Sequence, residues 1–203
     1  MRLCHATPAF VTAPSASEHY VFGYASLVQD GGPGQVSRLH GVRRAWGVAT
    51  DNSRGIPGYK MYLRRSDGSR PDVFVAFLDL VPDAGTAVNG VCRPAAEADL
   101  DALDRRERNY DRVDVTASIE SAPGRVWAYV GSAEARERLR RAREAGTAVV
   151  SRDYERKVHA GFRALGEAEY AAFLASSSLD GLPVWDLERV DLPGAPSGEE
   201  GAP

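Results

Sequence analysis

The chain has 203 residues, 43% of them hydrophobic, which suffices for one domain with a sizeable core. Its 25 Lys plus Arg against 28 Asp plus Glu give a net charge of −3, so there is no general attraction to nucleic acid or an anionic membrane, and neither partner is expected. Cys4 and Cys92 and the scattered His5, His19, His40 and His159 lack the spacing of a zinc site, so no metal is expected and the thiols read as reduced bystanders.

Residues 1–17 contain neither a basic cluster ahead of a long apolar core nor an apolar run of about 18 residues. They predict a flexible N-terminal segment with no signal peptide or membrane span, and hence a cytoplasmic protein. A single domain is expected over 18–192, with 193–203, rich in Gly and Pro, as a flexible tail.

His19 to Val28 reads as a strand entering a loop at the breaker cluster Asp30-Gly31-Gly32-Pro33-Gly34. Val36 to Val48 reads as a second strand bent at Gly41, and Tyr59 to Leu63 as a short alternating one. Val73 to Val81 is almost continuously apolar, as in a strand covered on both faces, and predicts the sheet centre. Pro94 suits the first turn of a helix, and Glu97 and Asp99 complement its positive end. Val113 to Ile119 and Val126 to Val130 flank a Pro123-Gly124 turn and predict a hairpin. Ser132 caps a helix over Ala133 to Ala145, whose charges form a solvated face. Ser151 caps another with the stripe Tyr154, Val158, Phe162 and Leu165, and helical spacing resumes after Gly166. Strands first and helices last predict an α+β fold, a small mixed β-sheet or barrel with flanking helices.

Two segments carry candidate chemistry. Between Pro94 and Tyr110, Ala96, Leu100, Leu103, Glu107 and Tyr110 fall on one side of a helix, so a glutamate occupies a position that reads as core. Arg105, Arg106 and Arg108 are rotated away from it, and Asp104 is expected to face solvent. A carboxylate withdrawn from water is a candidate general acid/base. The alternative is one out-of-phase residue at a frayed helix end. The second segment is Gly23-Tyr24-Ala25-Ser26-Leu27, small residues at a strand exit where backbone N–H groups can approach a ligand. By itself it is equally compatible with a tight turn that binds nothing.

Together, Phe22-Gly23-Tyr24-Ala25-Ser26-Leu27, then Leu103-Asp104-Arg105-Arg106-Glu107-Arg108-Asn109-Tyr110 leading into Val113 and Val115, then Val126-Trp127-Ala128-Tyr129-Val130, resemble the gamma-glutamylcyclotransferase family in content and order. The resemblance spans about residues 19–165. It implies a small barrel with flanking helices, no cofactor, and cleavage of a small gamma-glutamyl compound to 5-oxoproline and a free amine. Glu107 matches the family's catalytic glutamate, and Tyr24 to Leu27 match its Tyr-Gly-Ser-Leu loop, with Ala25 in place of the usual glycine. Gly23, Tyr24, Ala25, Ser26 and Leu27 become expected substrate contacts. Tyr110 and Tyr129 join them, as phenols able to hydrogen-bond substrate or the carboxylate. Leaving-group recognition is expected in the loops 52–58 and 66–72. Trp46, Trp127 and Trp185 are expected to pack. A serine hydrolase using Ser26 and His159, and a binding module without catalysis, are the competing readings; oligomeric state is left open.

Overall fold

The computed structural model describes residues 19–29, 32–179 and 181–193; the expectations for residues 1–17, for Asp30 and Gly31, and for 194–203 fall outside the described residues. Strand β1 (His19–Gly23) is followed by β2 (Gln35–Asp51), β3 (Lys60–Arg64) and β4 (Phe74–Ala95). Next come helix α1 (Glu97–Arg106), β5 (Tyr110–Asp114), β6 (Arg125–Gly131), α2 (Ala133–Glu144) and β7 (Ala148–Ser151). Helices α3 (Arg152–Ala164) and α4 (Glu167–Ala175) lead to the short strands β8 (Ser177–Ser178), β9 (Val184–Trp185) and β10 (Leu187–Asp191).

The two long strands β2 and β4 form the spine, antiparallel over nearly their whole length. Their register jumps at Gly41, where φ is +80°, and slips again beside Gly47. A Cβ on Gly47 would lie 2.3 Å from that of Asp79, so the bulge lets β2 cross close over β4. The other edge of β4 is taken at one end by β1, antiparallel, and at the other by β7, parallel. Strands β6 and β5 extend the sheet beyond β1, and β8 extends it beyond β2, giving the order β5-β6-β1-β4-β2-β8. That order does not return on itself among the described residues. The mixed sheet with packed helices is therefore present, whereas the expected closure into a barrel is not seen. Strands β3 and β10 pair separately.

Apolar residues of β4 fill both faces, as the continuous run predicts, and the strand runs on to Ala95 through the shift beside Gly41. One core cluster packs Trp46, Leu78, Leu139, Phe162 and Phe173 between sheet and helices. Arg44 is buried within this region with no carboxylate partner among the described residues: its guanidinium donates to Tyr24 O (2.7 Å), Ser176 Oγ (2.7 Å) and Asn89 Oδ1 (2.9 Å), and lies over the Phe162 ring. Burial lowers its pKa to about 9. Cys92 is a buried free thiol, pushed up to about 11 by burial.

Several local expectations are corrected. Pro94 lies in β4, and α1 starts only at Glu97, after Ala96, whose N–H donates to Asp99 Oδ2 (2.9 Å) at the helix entry. The helix stops at Arg106, and Tyr110 opens β5 instead of closing the helix. Residues Thr116–Ser118 form a 3-10 turn instead of extending the hairpin strand. Ser132 does cap α2, accepting from Ala135 N, but the Ser151 hydroxyl donates to Leu187 O and caps nothing. No helix of the described residues is long and apolar enough to cross a membrane.

Candidate active site

Glu107 is placed by the way α1 ends. Its N–H donates to Leu103 O (2.8 Å), completing the last turn, but its ψ of 50° takes the chain off the helical path. Leu100 is buried, and the Tyr129 hydroxyl donates to Asp104 Oδ1 (2.7 Å) and Leu100 O (3.2 Å), fixing the helix to β6. Just beyond the turn, buried Asn109 donates to Thr50 Oγ1 (2.8 Å) and accepts from Arg138 (3.2 Å), anchoring it to β2 and α2. The carboxylate is thus held from both sides with its side chain 16% exposed.

That carboxylate opens on a cavity of about 590 Å³ whose wall includes Ser26, Tyr59, Lys60, Tyr110 and Tyr154. Tyr154 and Tyr110 sit where the free edge of β4 has no strand neighbour between β7 and β1. The Tyr110 hydroxyl donates to Leu78 O (2.8 Å), and the Tyr154 hydroxyl accepts from Leu78 N (3.3 Å). Two phenols therefore take the place of a missing strand, and with opposite polarity. Tyr110 keeps acceptor lone pairs for the cavity; Tyr154 keeps its O–H. Burial, reinforced by the neighbouring negative charges, holds both phenols well above their ordinary pKa, so they remain protonated.

The loop after β1 turns so tightly that a Cβ on Gly23 would lie 2.9 Å from the Leu27 carbonyl carbon. Residues Ser26–Val28 form a 3-10 turn. Arg44 holds the loop at Tyr24 O, and Arg93 donates to Leu27 O and Val28 O (2.7 Å each). Ala25 has a φ of −138°, so the alanine at this position carries no left-handed backbone penalty.

The expected site residues are distributed unevenly over this geometry. Glu107, Ser26 and Tyr110 share the large cavity. Gly23 and Leu27 open instead on an adjoining cavity of about 380 Å³, which has Ala102 and Arg106 in common with the first. Tyr24 is buried below the loop, donating to Tyr129 O (2.6 Å), and Ala25 packs into the core. Tyr129 reaches α1 and does not line either cavity. Asp104, expected to face solvent, accepts from Tyr129 and pairs with Arg112 at 3.4 Å. Arg106, expected to point away, donates to Glu107 Oε1 at 3.0 Å because the chain leaves the helix between them. Of the loop 52–58 only Gly58 reaches the large cavity, while Asn52 is buried and braces Tyr62 and Pro71. None of 66–72 reaches that cavity.

Tyr59, Lys60 and Tyr154 escaped sequence reasoning. Tyr154 did show in the helix stripe, but as a core residue. Lys60 is half-buried, and burial lowers its pKa to about 8 against an opposing contribution from Glu107. His159 pairs with the Tyr170 hydroxyl (2.9 Å) and is not on the wall that carries Ser26. No group of three or more His, Cys, Asp or Glu suited to a metal occurs among the described residues.

The sequence profile described as "Gamma-glutamyl cyclotransferase, AIG2-like" matches residues 21–156. A solved structure titled "Gamma-glutamyl cyclotransferase" is similar at 13% identity and a TM-score of 0.49, covering 80% of this chain and 89% of its own. No curated protein matches the chain.

Proposed function

Because the chain belongs to the gamma-glutamyl cyclotransferase, AIG2-like family, we propose that it cleaves a gamma-glutamyl amide intramolecularly, with Glu107 as the general acid/base. The observation that carries this reading is the half-buried Glu107 carboxylate opening, with Ser26 of the loop, on one cavity. In such a substrate the α-amine attacks the γ-carbonyl carbon of its own chain. A new C–N bond closes a five-membered ring, the carbonyl becomes a tetrahedral oxyanion, and the original amide C–N bond breaks. Supplying the nucleophile within the substrate contributes on the order of 7–11 kcal/mol relative to a bimolecular attack. The protein must help two protons off the attacking nitrogen, deliver one to the departing nitrogen, and stabilise one oxyanion. Of the two protons the α-ammonium loses, Glu107 takes the first and returns it to the departing nitrogen; the second, shed by the ring nitrogen once the new bond has formed, passes to the released amine or to solvent, so 5-oxoproline and an amine are formed with the carboxylate regenerated.

The surroundings supply both polarities this chemistry needs. The Tyr110 oxygen, its hydrogen engaged by Leu78 O, accepts from the substrate ammonium. The Tyr154 O–H and the Ser26 hydroxyl are donors facing the same space, suited to the oxyanion or to a substrate carboxylate. Backbone N–H groups of the 23–27 loop add further donors. No cofactor is required by this sequence of steps.

Release of 5-oxoproline from a panel of gamma-glutamyl peptides, amino acids and amines, measured by mass spectrometry beside Glu107→Gln, tests the reading. Wild-type release that disappears in the variant is expected. Free glutamate in place of 5-oxoproline, or equal turnover by both proteins, would overturn it.

A further inference from the structure

Lys60 stands on the wall of the Glu107 cavity and forms no ion pair among the described residues. It opens β3, where pairing with Asp191 of β10 fixes its backbone. Its ammonium lies over ring faces, 4.1 Å from the centroid of Phe77 and 5.3 Å from that of Tyr59. The nearby carboxylates are all engaged by arginines. Glu107 accepts from Arg106 at 3.0 Å, Asp191 pairs with Arg189 at 2.6 Å, and Asp153 with Arg65 at 2.5 Å. Lys60 makes no ion pair among the described residues. A half-buried ammonium is costly without a counter-charge, and ring faces offset that cost only in part. Holding such a charge beside a general base, on a cavity that admits a small molecule, suits recognition of an anionic group on the ligand.

We propose that Lys60 determines specificity in this cavity by binding a carboxylate of the substrate. The assignment rests on the cyclotransferase reading, because a gamma-glutamyl substrate always brings one carboxylate, on its α-carbon, and brings a second when the leaving group is an amino acid or peptide. The two sources differ in consequence. Contact with the first anchors every substrate; contact with the second selects amino-acid leaving groups over simple amines.

Two ligands without an α-amine separate these sources, since neither can cyclise: glutaryl-alanine, which carries both carboxylates, and N-ethylglutaramic acid, which lacks the one on the leaving side. Their dissociation constants are measured by calorimetry for the whole chain as wild type, Lys60→Met and Lys60→Arg, with melting temperatures as a check on folding. A loss of about 10- to 100-fold in Lys60→Met, the range for a hydrogen bond to a charged group, is expected, with most of the affinity retained in Lys60→Arg. Loss confined to glutaryl-alanine identifies the leaving-group carboxylate; equal loss for both ligands identifies the α-carboxylate. Affinities within twofold of wild type in Lys60→Met, or no binding of either ligand by wild type, would overturn the proposal. Turnover is read separately as 5-oxoproline from gamma-glutamyl-alanine. Turnover with charge-insensitive affinities sinks the Lys60 assignment alone, and Lys60-dependent affinity without 5-oxoproline sinks the cyclisation reading alone.

Discussion

Asp79 and Glu107 are two carboxylates beside the same tyrosines; the charge of each contributes to raising the pKa of Tyr24 and Tyr110. Their partners differ. Asp79 is fully buried with both oxygens engaged: Oδ1 accepts from Leu80 N and Gly131 N (2.7 Å each), Oδ2 accepts from Arg136 Nε (2.7 Å), and Gly47 and Gly131 leave no space around it. Among the described residues, Glu107 accepts from the half-exposed Arg106, and its other face opens on the cavity. Burial alone therefore does not distinguish a chemical carboxylate from a structural one; unspent acceptor capacity on an accessible side does.

Substitutions sharpen this contrast, beginning with the largest effect. Glu107→Gln is expected to lower kcat by about 10²–10⁴, the range for loss of a general acid/base. Its stability should stay within about 0.5 kcal/mol of wild type, as for a side chain without a buried network; steady-state kinetics and urea denaturation read the two. Asp79→Ala should show the reverse pattern, a stability loss on the order of 3 kcal/mol from leaving two N–H groups and a guanidinium without their acceptor. If Asp79→Ala unfolds no more easily than Glu107→Gln, the contrast fails. Arg136→Met should cost less, about 1–2 kcal/mol, because Asp79 keeps its two backbone donors and the arginine is partly solvated.

Tyr110→Phe should cost about 1 kcal/mol for the lost bond to Leu78 O, with a fall in kcat/KM measured on the same preparation. The smallest effect is a pH dependence at Lys60, faced by Glu107 and Arg106 at the end of α1, by Arg189 and Asp191 on β10, and by Tyr59. Its folded pKa of about 8 lies below the ordinary 10.5. Below pH 8 both states are protonated and folding bears the desolvated charge. Between about 8 and 10.5 the unfolded chain holds a proton the folded one has released, so this site adds stability as pH rises and loses it as pH falls through 8. Denaturation of wild type and Lys60→Met at pH 7 and 10 should show the variant's advantage shrinking at the higher pH; a constant difference would contradict a desolvated Lys60.

Much of the fold was legible because strong local patterns were decided by the same physics that folds the chain. The apolar run at 73–81 is the middle of the sheet, Ser132 starts α2, and Gly41 marks a break in register. The end of α1 departs from its periodicity for an identifiable reason. Glu107 and Tyr110 continue the helical period by coincidence, while the chain is drawn off the helix by Asn109, whose partners Thr50 and Arg138 are distant in sequence. The same cause brings Arg106 onto Glu107. Arg44 gave no signal, since a single charge within a strand reads as an outward residue until helices and a loop close over it.

What the sequence by itself determined is the α+β character, the pairing of the 23–27 loop with the 103–110 segment, and hence the family. The first rests on periodicity and turn chemistry, and the family on the resemblance of these motifs in content and order, all of it legible along the chain. Only the tertiary structure decided the membership of the site: that Ser26 and Tyr110 reach the cavity whereas Tyr24 and Tyr129 are buried props, that Tyr154 completes a broken sheet edge, and that Lys60 faces the space before Glu107. Which face of a strand meets a cavity, and which charge is left without a partner there, depends on segments that approach one another only when the chain has folded.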